Sequence, residues 1–230
     1  MQLFYIKHPT SKLVLSGQEA KHITRVLRKD KKDILSFTDG KGNLYKGKII
    51  NINNKECSIE ILNSQKQNKK HNYYLHIAIA PTKNIDRFEW FLEKSTEIGI
   101  DEITPIICDH SERKIIKSER CEKILISAMK QSLKYYLPKL NNTITFNEFI
   151  NKEESNLKYI AHCQKIQKTE LKNLKNTKNT TILIGPEGDF SNNEISKALE
   201  NKFTPISLGN NRLRTETAGL IAVNMIHIQN

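Results

Sequence analysis

Two stretches near the carboxyl end limit what this chain can fold into more than any other feature. Ile182-Leu183-Ile184 runs into Gly185-Pro186-Glu187-Gly188-Asp189-Phe190, and Ile206-Ser207-Leu208 runs into a loop from Gly209 to Gly219. Each is an apolar, β-like run that stops at a glycine and enters a loop opening a helix. In a parallel α/β sheet such loops lie at the carboxyl edge of the strands, where ligands bind. Glycines there let a backbone pass close to a flat ligand, and Pro186 stiffens the first loop. Two such loops in tandem read as two sides of one pocket. A lone Gly-Pro-Glu-Gly is most simply a turn. The second loop goes further, because Arg212, Arg214, Thr215, Glu216 and Thr217 crowd charge and polarity between an apolar strand and an apolar helix. Neither loop has the Gly-Lys-Ser/Thr of a Walker A loop or a G-x-G-x-x-G pattern, which argues against nucleoside triphosphates and dinucleotides.

At 230 residues the chain has room for two modest domains. No apolar run approaches membrane-spanning length, and the amino terminus lacks an apolar signal core, so a cytoplasmic protein without a membrane partner is expected. Cys57, Cys108, Cys121 and Cys163 are far apart and form no Cys-x-x-Cys pair, which predicts reduced thiols and no metal site. The net charge of +12 favours a polyanionic partner. Lysine and asparagine richness also follows from an AT-rich genome, so charge alone leaves nucleic acid at even odds.

The first part of the chain predicts short strands over 1–7, 34–37, 44–52 and 57–62, with turns at Asp39-Gly40 and Asn53-Asn54-Lys55. Between the first two strands, Ser16-Gly17-Gln18-Glu19 reads as a capping box. Ala20, Ile23, Val26 and Leu27 then recur at helical spacing with Lys21, His22, Arg25, Arg28 and Lys29 on the other face. A small β-barrel with one basic helix is expected, suited to RNA. Residues 63–72 hold no apolar residue and mark the boundary, dividing a 1–67 domain from a 73–230 domain through a 68–72 linker.

From Tyr73 long apolar strands alternate with helices, the mark of an α/β domain with a parallel sheet. Strands are expected over 74–80, 103–108, 143–146, 157–162, 181–184 and 204–208. Helices are expected over 84–98, 118–134 and 215–228, with a short one opened by the capping box Ser191-Asn192-Asn193-Glu194. Ala218, Gly219 and Ala222 lie close on the last helix and would admit another backbone, such as a partner subunit.

GPEGDFS followed by SLGNNRLRTETAGL resembles the signature pair of the RsmE family, S-adenosylmethionine-dependent methyltransferases of the SPOUT superfamily that act on N3 of a uridine in 16S ribosomal RNA. Lys94 to Pro105 and Ser111-Glu112-Arg113 resemble further family stretches, and Lys21 to Arg28 resembles one in its PUA-like barrel. The chain departs from the family's E-Q-S-x-R at Lys130 and Lys134, and lysine cannot reproduce a bidentate arginine contact. The resemblance implies a PUA-like small β-barrel followed by a SPOUT domain with a trefoil knot, S-adenosyl-L-methionine as cofactor, and a homodimer. The partner it implies is 16S ribosomal RNA or the assembled small ribosomal subunit. It implies a donor pocket from the loops after His162, Ile184 and Leu208, with Gly185, Pro186, Glu187 and Gly188 on one side. Gly209, Asn211, Arg212, Leu213, Thr217 and Ala218 would form the other. For catalysis it points to Arg214 facing the base and Glu216 orienting it or taking a proton. For RNA it points to Lys21, Arg25, Arg28, Lys29 and Arg113. A SPOUT enzyme acting on another RNA, or a basic RNA-binding protein without catalysis, are the competing readings.

Overall fold

The computed structural model describes residues 2–53, 55–152, 157–174 and 177–230. Asn54, within one expected turn, lies outside them. The chain divides into two compact units, Met1–Lys69 with Met129–Leu137, and Lys70–Ala128 with Pro138–Asn230.

The first unit contains β1 (Leu3–Tyr5), β2 (Lys12–Ser16), α1 (Gly17–Lys21) continued by a π-turn His22–Val26, β3 (Ile34–Thr38), β4 (Asn43–Ile52) and β5 (Glu56–Lys66). They form a five-stranded sheet in the order β1-β3-β4-β5-β2, antiparallel except for β1 on β3. Among the described residues the edge strands β1 and β2 share no ladder, so the expected barrel takes the form of this mixed sheet. Phe4, Leu13, Leu15, Ala20, Ile23, Phe37 and Ile59 share its core. Gly47 is required on β4, since a Cβ there would sit 2.5 Å from Ile59 and 3.1 Å from Phe37.

Three local expectations fail here for tertiary reasons. Ser16 caps nothing with its side chain, because β2 pairs with β5 out to Ser16 and holds it extended, and Gly17 turns the chain at φ 63°. The helix then widens, with the Leu27 N–H donating to the His22 carbonyl five residues back. That widening breaks the 3.6-residue stripe and leaves Val26 66% exposed instead of inward. Residues 63–66, in the polar stretch beyond the strand expected over 57–62, continue β5 against β4.

The second unit contains β6 (Tyr74–Ile79), α2 (Ile85–Ile98), β7 (Glu102–Ile107), most of α3 (Ser118–Gln131, of which Met129 onward belongs to the first unit), β8 (Lys139–Leu140), β9 (Ile144–Thr145) and α4 (Phe146–Lys152). It continues with β10 (Leu157–Ala161), β11 (Thr169–Glu170), β12 (Asn179–Ile184), α5 (Asn192–Glu200), β13 (Thr204–Ser207) and α6 (Thr215–Gln229). The sheet runs β11-β13-β10-β12-β6-β7-β8, with β9 also on β7, and all of these pairings are parallel. Strands covered on both faces need apolar residues at successive positions, and β6 and β12 bury Ile77-Ala78-Ile79 and Ile182-Leu183-Ile184 accordingly. The Asn84 side chain accepts the Asp86 N–H to start α2, and Gly99 ends it at φ 143°. Helix α3 stops three residues earlier than expected. Leu133 takes φ 52°, and the Lys134 and Leu133 N–H groups return to the Met129 and Lys130 carbonyls, a Schellman ending.

The expected strand over 143–146 is present as β9 at Ile144–Thr145, paired with β7, and the chain turns into α4 at Phe146. Phe146, Phe149 and Ile150 turn inward at helical spacing, and Thr145 and Glu148 exchange hydrogen bonds at its amino end. Gly219 on α6 serves this chain's own packing. A Cβ there would lie 2.8 Å from the Phe91 ring and 2.9 Å from Ile79, so the space expected for a partner is filled by α2 and β6. Gly219→Val is expected to cost about 1–3 kcal/mol by overpacking, read as a lower midpoint in urea denaturation.

Candidate functional site

Strands β13, β10 and β12 are neighbours in the sheet, so the loops leaving their carboxyl ends converge. Together with the start of α6 they enclose a cavity of about 760 Å³. Ile184 and Ile206, both buried, give it an apolar floor. Its rim is charged, with Lys168, Arg212 and Arg214 against Glu187 and Asp189.

Each wall is tied down by hydrogen bonds that sequence spacing cannot show. The Thr215 hydroxyl donates to the Gly185 carbonyl at 3.0 Å, fastening α6 to the loop after β12. That loop closes on itself through the Asp189 N–H and the Pro186 carbonyl, with Asp189 at φ 62°. Glu187 accepts the Lys83 N–H at 2.9 Å. From the loop after β7, the His110 ring shares a hydrogen-bonding nitrogen with the Gly188 and Asp189 carbonyls at 3.0 Å. Asp189 also accepts the Cys163 N–H at 2.8 Å, and Lys168 donates to the His162 carbonyl at 2.6 Å.

Of the candidate positions, His162, Ile184, Gly185, Pro186, Glu187, Leu208, Gly209, Asn211, Arg212, Leu213, Arg214 and Ala218 line the cavity. Gly188, Glu216 and Thr217 stand outside its lining. Gly188 approaches His110 instead, where a Cβ would come within 2.9 Å of the histidine Cβ. Glu216 is buried in the first turn of α6, with Arg87 Nε 3.8 Å from Oε1 and no hydrogen-bond partner for Oε2 among the described residues. Cys163, Lys168 and Asp189, which were not expected site residues, also line the cavity, as does Thr215 from the polar cluster ahead of α6. Asp189 and Thr215 lie inside the two blocks that drew attention. Cys163 and Lys168 sit in a loop with no signal of its own.

Residues 69–227 match the family described as RNA methyltransferase domain, and residues 15–62 match the RNA methyltransferase PUA domain. A ribosomal RNA small subunit methyltransferase E from Buchnera aphidicola is 31% identical over 92% of this chain and 86% of its own length. The chain belongs to this methyltransferase family. Among solved structures, a probable rRNA-methyltransferase from Porphyromonas gingivalis is 40% identical, with a TM-score of 0.93 over 100% of this chain and 98% of its own. A ribosomal RNA small subunit methyltransferase E from Neisseria gonorrhoeae, bound to S-adenosyl methionine, is 28% identical. Its TM-score is 0.83, over 97% of this chain and 95% of its own. The protein is thus an RNA methyltransferase, with a PUA-like domain ahead of its parallel-sheet domain.

Within the methyltransferase domain, Arg113 is occupied. Its guanidinium donates to the Thr82 and Lys83 carbonyls, at 2.6 Å for the shortest contact, and so braces the loop after β6. In the PUA-like unit Lys21, Arg25 and Arg28 are exposed, while Lys29 pairs with Asp33 at 3.6 Å. Lys130, one departure from the family pattern, lies 3.9 Å from Glu19.

Cys57, Cys108 and Cys121 are buried, which pushes their thiols up, to about 11 for Cys121. Burial, with help from Lys168, holds the His162 imidazole below its ordinary 6.5, and Asp189 opposes this only in part. The folded state therefore resists a proton that the unfolded chain accepts. Stability is full above the ordinary histidine value and falls as pH drops below it. Urea midpoints of the wild type should decline between about pH 7 and pH 5. His162→Gln should decline less steeply.

Proposed function

We propose that this enzyme methylates N3 of a uridine in 16S ribosomal RNA, with S-adenosyl-L-methionine held in the cavity at the ends of β10, β12 and β13. The observation that carries this reading is the convergence of the three loops around Arg214. The cavity suits the donor. Its volume falls within the range of small-molecule sites, its floor is apolar for an adenine, and both signs of charge stand at the rim for the amino and carboxylate groups. Ile184, Gly185, Leu208 and Leu213 would hold the adenine, with Glu187, Gly209, Asn211, Arg212 and Ala218 around the rest. When bound, the donor supplies an electrophilic methyl group on a sulfonium.

N3 of uridine carries a proton between two carbonyls, so the nucleophile needs its anion stabilised. Arg214 is exposed at the cavity, has no side-chain partner among the described residues, and presents a planar guanidinium with five N–H donors. It would face O2 or O4 of the base. Of the two roles expected for Glu216, burial outside the cavity favours electrostatic support over contact with the base. Gly188 and Thr217 would then act through the loops they belong to.

The basic segment Lys21 to Lys29 would dock RNA from a 1–67 domain, leaving methyl transfer to 73–230 and Arg113 to brace the site. A trefoil knot is part of the reading. Strand β13 lies beyond β10 from β12, yet the α6 that follows packs back on α2, β6 and β12. Exposed Trp90 and Ile228, on the packed helices α2 and α6, support a homodimer. 16S ribosomal RNA or the assembled small subunit as partner and a cytoplasmic location complete it.

The test is nucleoside mass spectrometry of 16S ribosomal RNA from cells with and without the gene. Loss of 3-methyluridine on deletion, restored by the intact gene, is expected. Unchanged 3-methyluridine would assign the enzyme to another RNA.

A further inference from the structure

The ladder between β10 and β12 ends at Ala161 and Ile184, and past it the two strands part into loops that form facing walls of the cavity. Facing loops without a ladder drift apart unless side chains join them, and a donor site assembled from three loops depends on their spacing. The link here is Asp189. Its carboxylate reaches from the loop after β12 and accepts the Cys163 N–H at 2.8 Å, in the loop after β10. A second contact, from Gln164 to Asn192, joins the same loop to the start of α5. On the far side Lys168 donates to the His162 carbonyl at 2.6 Å and closes the loop on itself.

The backbone at Asp189 fits that task. It sits at φ 62°, in the left-handed region that asparagine and aspartate tolerate better than other side-chain-bearing residues. Its N–H is held by the Pro186 carbonyl and its carbonyl by His110, so the carboxylate is aimed by the main chain on both sides. A glycine at this position would satisfy the turn with less strain. A carboxylate standing there therefore has a use other than the turn.

We propose that Asp189 is a positioning residue for the methyl donor: by clipping the loop after β10 to the loop after β12 it sets the width of the donor cavity. The inference rests on the donor reading of that cavity. It adds Asp189 and the Cys163 amide to the site, with Lys168 as the brace behind them.

The experiment pairs two variants with two readouts. Asp189→Gly removes the clip and keeps the turn. Asp189→Asn keeps a side-chain carbonyl to accept the Cys163 N–H and tolerates the same φ. Hydrogen exchange at the Cys163 amide and S-adenosylmethionine affinity by calorimetry are measured on the full chain of each. The expected result is faster Cys163 exchange in Asp189→Gly without donor present, together with about tenfold weaker donor binding. Asp189→Asn should restore both to near the wild-type values. Equal donor affinity of wild type and Asp189→Gly overturns the inference, whatever the exchange shows, and so does failure of Asp189→Asn to rescue. Absence of donor binding by the wild type itself would overturn the donor reading as well, which separates the two failures.

Discussion

Replacing Arg214 with alanine is expected to lower methyl transfer by about 100- to 1,000-fold, the loss seen when one preorganised donor to a developing anion is removed. Affinity for the methyl donor should stay nearly intact. The expectation follows from where the residue sits. It precedes the first turn of α6 and lines the cavity, and its guanidinium meets no described side chain or carbonyl. An exposed side chain without partners contributes little to stability, so the variant should unfold within about 0.5 kcal/mol of the wild type. Single-turnover rates on 16S ribosomal RNA, alongside donor calorimetry, separate the two effects. Arg214→Lys should recover part of the rate, since it restores charge without the planar fork. Turnover within a few-fold of wild type for the alanine variant would remove Arg214 from the chemistry.

Glu194→Ala should have the largest effect on stability, about 3 kcal/mol or more. Glu194 is 3% exposed, and its two carboxylate oxygens accept the Asp109 N–H at 3.0 Å and the Ser191 N–H at 2.8 Å. Ser191 in turn accepts the Glu194 N–H and donates to Asp109. The one carboxylate therefore caps α5 and anchors the loop after β7. Alanine leaves two part-buried N–H donors without this acceptor, each bond to a charged acceptor being worth about 1.5–3 kcal/mol. Glutamine keeps a single acceptor oxygen and should fall between. Because Asp109 precedes His110, which touches the Gly188 and Asp189 carbonyls, donor affinity should weaken in parallel. Urea denaturation at neutral pH measures the first effect. A loss under about 1 kcal/mol would mean that water replaces the carboxylate.

The same four-residue pattern shows where local reading holds and where it does not. Ser191-Asn192-Asn193-Glu194 forms a capping box, with both reciprocal hydrogen bonds present. Ser16-Gly17-Gln18-Glu19 does not, because pairing of β2 with β5 claims Ser16 as a strand end. Strand β2 carries a local signal of its own, the burial of Leu13 and Leu15 at alternate positions. Helix α4 had its own sign in Thr145 and Glu148, three residues apart, overlapping the β-prone residues of β9 just before it. Arg113, legible as a loop cation, was free only in sequence. In space the Thr82 and Lys83 carbonyls occupy it.

By itself the sequence determined the alternating βα pattern, because strands buried on both faces must be apolar at successive positions. It also determined the two glycine loops with their charged followers, and through them the family. Only the tertiary structure decided that β10 lies between β13 and β12, which brings those loops to one cavity. It alone assigned Gly219 to Phe91, and joined Asp189 to Cys163 across 26 positions. Local periodicity reports which face of an element is buried. Which elements become neighbours depends on how the whole chain closes its core, and that choice set the partners of every residue around the cavity.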